Sequence, residues 1–285
     1  MRWKDLRRSD NVEDRRGMRT PAMAVGGGLG VLVIALVVWL LGGDPTPLLQ
    51  QAGSAGGPPS ASVPNTEFTA QENELADFVS AVLAETEDVW AAQFQAMGRT
   101  YEEPKLVLFT GAVQSACGYA QAAMGPFYCP PDARVYIDLS FYQELKDRHG
   151  AGGDFAEAYV IAHEVGHHVQ NLLGIADEVR KLSARLDERE VNALSVRQEL
   201  QADCFAGLWA NRAQRSRQIL EAGDLEEALN AAGAIGDDRL QKEATGRVVP
   251  DAFTHGTSAQ RVRWFSRGFQ SGDLKQCDTF AAPSL

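Results

Sequence analysis

The stretch Ala158-Tyr-Val-Ile-Ala-His163-Glu164-Val-Gly-His167-His168 decides how this chain is read. Residues four apart on a helix lie one turn above each other, so His163 and His167 present two imidazoles from one face. That H-E-x-x-H spacing lets both rings grip a single metal ion, with Glu164 beside it in the place of a general base. The apolar set Phe155, Ala158, Tyr159, Ala162, Val169 and Leu173 keeps i, i+3, i+4 spacing around the motif. Asp154 and Glu157 read as a capping box after Gly152 and Gly153, and Gly174 as a left-handed stop. The motif therefore falls mid-helix on an element with an apolar stripe, which a chance pair of histidines on a solvated face does not require.

Catalytic zinc usually takes three protein ligands and keeps one position open. A histidine six residues past His167 would supply the third, but that position is Leu173. A later helix offers another route in Glu199-Leu-Gln-Ala-Asp203. Ser195 and Gln198 read as a second capping box, which puts Glu199 in the first turns of a helix running to about residue 212. Glu199 and Asp203 share one face there, so one can bind metal while the other orients an imidazole through its second nitrogen. The plain alternative is an acidic helix face.

Further stretches fall into the same frame: Ser115-Ala-Cys-Gly118, Gly125-Pro-Phe-Tyr-Cys-Pro130, Val135-Tyr-Ile-Asp-Leu-Ser-Phe141, Glu199-Leu-Gln-Ala-Asp-Cys-Phe-Ala-Gly207 and Phe253-Thr-His-Gly-Thr-Ser258. Together with the motif helix they resemble the putative neutral zinc metallopeptidases, a family of bacterial membrane-anchored proteins. The resemblance covers nearly everything from residue 67 onward. It implies a zincin-type α+β fold, predominantly helical with a small sheet, with Zn2+ on His163, His167 and Glu199 and Glu164 as catalytic acid/base. The expected activity is that of a zinc metalloendopeptidase acting on a peptide or protein substrate. A membrane-tethered zinc scaffold without turnover is the rival, although such a site has no need of Glu164. His255, on the Gly-containing turn Phe253–Ser258, is the candidate donor to a developing oxyanion; helix capping is its other reading. His168, about 140° round the helix from His163, reads as structural.

Near the start, Ala22 to Leu41 is a run of 20 residues without a charge. At about 1.5 Å per residue it reaches roughly 30 Å, the thickness of a bilayer core. Seven arginines and lysines precede it, and none follows before Arg99. The positive-inside rule then predicts a cytoplasmic tail (1–20), a transmembrane signal anchor (21–42), a flexible Gly/Pro/Ser-rich linker (43–66) and a metallopeptidase domain (67–285) outside the cytoplasm. On this reading the protein is a single-pass cell-membrane protein with its substrates in the cell envelope.

Four cysteines, an even number, suggest two disulfides in such a compartment. Three pairings are open; Cys117–Cys129, closing a short glycine-rich loop, and Cys204–Cys277, fastening the tail, are favoured. A net charge of −11 argues against nucleic acid as a partner. Residues 67–97 read as a helix, Leu106–Phe109 and Val135–Leu139 as strands, and 175–190, 224–240 and 258–269 as further helices. The 135–139 strand is the candidate edge along which an extended peptide would align.

Overall fold

The structure, a computed structural model, describes residues 1–18 and 68–285. In chain order it runs β1 (Val12–Asp14), α1 (Ala70–Ala96), β2 (Lys105–Phe109), β3 (Ala112–Ser115), β4 (Gly118–Gln121), β5 (Phe127–Cys129) and β6 (Arg134–Asp138). Helices α2 (Ser140–Asp147), α3 (Asp154–Leu173), α4 (Ile175–Ser183), α5 (Glu188–Arg217), α6 (Asp224–Ala234), α7 (Asp237–Thr245) and α8 (Ser258–Ser271) follow. Helices dominate, and the main sheet is small: its order is β1-β2-β6-β5, the first three strands parallel and β5 antiparallel to β6. Strands β3 and β4 form a separate hairpin.

Helix α1 starts where its chemistry demands, at a Thr69/Glu72 capping box, and buries Phe78, Val79, Val82, Leu83, Trp90 and Phe94. Helix α3 is almost wholly buried, which is why its motif carries so few polar residues beyond the histidines and Glu164. It packs on α5, α6 and α1, and Gly174 ends it at φ 81°. Close approach to α5 rests on Gly166: a Cβ there would lie 3.1 Å from the Ala202 carbonyl oxygen. The disulfides join Cys117 to Cys129 and Cys204 to Cys277. The first ties the β3–β4 hairpin to strand β5, and the second fastens the C-terminal tail to α5.

Three local expectations are corrected. Helix α5 begins eleven residues before Glu199, at an Asp187/Glu190 capping box, so Glu199 lies mid-helix; the Ser195 hydroxyl instead donates to the Thr254 carbonyl. Helix α3 has no side-chain cap, because Asp154 pairs with the Met1 ammonium while Glu227 receives the Phe155 amide. Strand β6 is flanked on both sides by β2 and β5, so it cannot receive a peptide; the strand at that end of the sheet is β5.

A larger correction concerns the membrane. Among the described residues no helix is long and apolar enough to cross one, and the expected span at 22–41 lies outside them. What overturns the single-pass topology is the start of the chain. Residues 1–16 belong to the same compact unit as 68–285, with β1 hydrogen-bonded to β2 in parallel register from Val12↔Leu106 to Asp14↔Leu108. One crossing between them would place these partners on opposite faces of a bilayer. The arginines that the sequence offers as an orientation signal are spent on protein partners: Arg7 on Glu87 and Asp88, Arg8 on Asp77, Arg16 on Asp14.

The start of α3 also collects acid. Glu157 sits near Asp154 and Glu227, and burial, reinforced by those two charges, pushes its carboxyl up to about 7. A carboxyl raised on folding contributes its full stability below its unfolded pKa, and that contribution is lost as pH rises toward 7. The loss amounts to about 3 kcal/mol. Glu157→Gln should therefore melt with wild type near pH 4 and above it at pH 8, the gap opening between about pH 4.5 and 7. A gap that does not change with pH would refute this assignment.

Candidate metal centre

Helix α3 delivers His163 and His167 one turn apart, their rings 4.8 Å apart between centroids and nearly perpendicular. Helix α5, crossing at the Gly166–Ala202 contact, brings Glu199 over both. Its carboxylate lies 3.2 Å from His163 Nε2 and 3.4 Å from His167 Nε2. One donor atom from each of the three residues falls within 4.8 Å of the others. The sequence-expected ligands thus converge, with both Nε2 atoms turned inward.

Both Nδ1 atoms are held from behind. His163 Nδ1 meets Asp203 Oδ1 at 2.8 Å, and His167 Nδ1 meets Gln170 Oε1 at 2.9 Å. Such partners fix which nitrogen faces a metal and strengthen it as a ligand. Gln170 is itself pinned, donating to the Gln198 carbonyl and to Gln201. Asp203, fully buried, accepts Arg261 on both oxygens, from Nε at 2.9 Å and Nη2 at 3.0 Å, and also accepts the Tyr159 hydroxyl. Arg261 spends Nη1 on the Ile235 carbonyl and is 2% exposed.

The electrostatics are those of a place built for positive charge. Burial drives Glu199 toward neutrality, yet His167 and His163 more than reverse this and hold it well below the carboxylate range. Burial likewise opposes charge on His163, but Asp203 and Glu199 raise it to about 10. His167 is raised for the same reason, Glu199 outweighing its burial. Where two imidazoles are stabilised as cations by surrounding carboxylates, a divalent ion can replace the protons, which it must displace to bind. Two imidazoles and a carboxylate are also the donor set of open zinc sites. The residues fit the ion.

These groups line a cleft of about 470 Å³ whose walls are otherwise mostly apolar, including Met124, Phe127, Phe141, Val160, Ile235 and Leu240. Glu164 is on its floor, 8% exposed, outside the triad. His255 is on its rim: Asp237 accepts from the Thr254, His255 and Gly256 amides and contacts His255 Nδ1 at 3.2 Å, raising the imidazole's pKa. His168 faces away from the cleft, held between the Tyr128 hydroxyl and the Glu102 carbonyl.

Sequence reasoning missed four contributors. Tyr159, one turn before His163, was legible only as an apolar position, and Gln170 only as a residue that is not histidine. Asp237 and Arg261 reach the site from α7 and α8 with no local signal at all.

Two relatives place the chain. The uncharacterized protein YpfJ of Escherichia coli K12 is 55% identical over 98% of this chain and 99% of its own length. The uncharacterized protein Rv2575 of Mycobacterium tuberculosis is 46% identical over 195 residues, 65% of each chain. No solved structure matches. The family described as "Putative neutral zinc metallopeptidase" matches residues 1–280, taking in β1, the triad, Glu164, Asp203 and Arg261 alike, and the chain belongs to it.

Proposed function

We propose that the chain is a zinc-dependent endopeptidase. The observation that carries this reading is the convergence of His163, His167 and Glu199 beside a Glu164 that none of them engages. Zinc, when bound there, supplies Lewis-acid polarisation and a lowered pKa for water. Glu164 takes the proton from the attacking water and returns it to the departing amine nitrogen. His255, oriented by Asp237, donates to the oxygen that gains charge as the carbonyl carbon turns tetrahedral.

The charges on the cleft favour cleavage within a chain rather than at its ends. Among the described residues Arg261 is its only lysine or arginine, and Asp203 already holds it. Among the described residues no free lysine or arginine is left there to seize a terminal carboxylate. Its acids are Glu199 and Glu164, both committed to the chemistry. A substrate must therefore be held by its backbone and apolar side chains. Strand β5 gives the backbone a rail, since among the described residues one side of it has no strand partner and Phe127 and Tyr128 line the cleft.

Purified protein should contain one zinc per chain and hydrolyse internal bonds of a mixed peptide library, by mass spectrometry of the products. Chelation should abolish cleavage and added zinc restore it. Zinc-loaded protein that cleaves nothing, or activity that survives chelation, would sink the reading.

A further inference from the structure

Residues 1–16 hold on to the rest of the molecule as a bound peptide does. They are separated along the chain from α1 by residues 17–67, and they carry six basic against four acidic side chains. Three parts of their anchoring lie on α1 and β2. Strand β1 extends the sheet edge at β2, with Asn11 and Arg15 completing the ladder through the Leu106 amide and the Leu108 carbonyl. Arg7 reaches Glu87 and Asp88, each at 2.8 Å, while Arg8 takes both oxygens of Asp77. Glu87 is 1% exposed, and its other oxygen is met by Ser9 and Asn11. Finally, Trp3 is buried edge-on against Phe78, 5.4 Å between centroids. Carboxylates on one face of α1 and the open side of β2 thus form a groove matched to a basic, strand-forming segment. Main-chain pairing supplies affinity and the arginine pairs supply register.

We propose that this groove is an exchangeable peptide-docking site. Its occupant is the N-terminal segment of this chain. The covalently linked segment competes intramolecularly, so the site is closed to added peptide while its own segment is docked. It opens when that segment is weakened.

The test uses the full chain carrying Arg7→Glu and Arg8→Glu, which sets like charges against Glu87, Asp88 and Asp77. A fluorescent peptide of residues 1–18 should bind this variant saturably and bind wild type at least 100-fold more weakly. The same peptide with both arginines reversed should bind neither. Because the charge reversal could unfold the domain, a Val12→Pro chain, which strikes only the strand ladder, is tested in parallel. If both variants unfold, the wild-type peptide should restore their melting transitions. The proposal is overturned if a folded variant ignores the peptide or wild type binds it as well as the variants do. It is also overturned if unfolded variants are not rescued.

Discussion

Changing Glu164 to glutamine is expected to slow peptide hydrolysis by about 10²- to 10⁴-fold, the usual worth of a general acid–base group. Zinc content should stay at the wild-type level. The two halves of this expectation come from separate observations. Glutamine keeps the size of the side chain but cannot accept a proton at the attacking water. The donor atoms that meet on the metal position belong to His163, His167 and Glu199, and Glu164 is not among them. The structural cost should also be small, because the Glu164 side chain makes no hydrogen bond or ion pair among the described residues. Its melting temperature should fall within a few degrees of wild type. Steady-state rates on one cleaved peptide, with zinc quantified in the same samples, decide the matter. Equal rates in the two proteins would remove Glu164 from the mechanism, and a parallel loss of zinc would make it a ligand instead.

What the sequence made legible divides by the range of the interactions involved. The H-E-x-x-H helix could be read because helix periodicity fixes which residues share a face within a few turns. The Gly174 stop followed from local backbone rules, whereas the Asp154–Glu157 cap did not form because Asp154 pairs with the Met1 ammonium. Glu199 and Asp203 could be read as one face, but their position in α5 was misjudged because Ser195-x-x-Gln198 imitates a cap in mid-helix. The membrane reading failed for a related reason. Arginines before an apolar run give the same sequence signal whether they face water or pair with carboxylates. Only the three-dimensional partners Glu87, Asp88 and Asp77 tell the two apart. Strand β5 is three residues long and reaches the cleft through a hairpin, so alternation favoured the stronger pattern of β6. Arg261 was invisible because its role depends on burial beside Asp203, 58 residues away in sequence.

That buried pair supports the second large expectation: Asp203→Asn should cost about 3–5 kcal/mol of stability and lower zinc affinity by about 10- to 100-fold. Both effects begin at the same carboxylate but travel by different routes. Stability falls because the Arg261 guanidinium, 2% exposed, loses its counter-charge where water cannot replace it. Metal affinity falls because His163 Nδ1 exchanges an ionised acceptor for a neutral amide, so its Nε2 becomes a weaker ligand. Replacing both partners, as in Asp203→Leu with Arg261→Met, separates the routes. The unpaired charge disappears and much of the lost stability should return. It should not all return, because the Tyr159 hydroxyl and His163 Nδ1 are left without their acceptor, at about 1–3 kcal/mol. Zinc affinity in the double variant should remain as low as in Asp203→Asn. Denaturant melts and competition with a chelator of known affinity measure the two quantities independently. If zinc affinity recovers along with stability, Asp203 acts on the metal site only by holding the fold together, and its orientation of His163 is refuted.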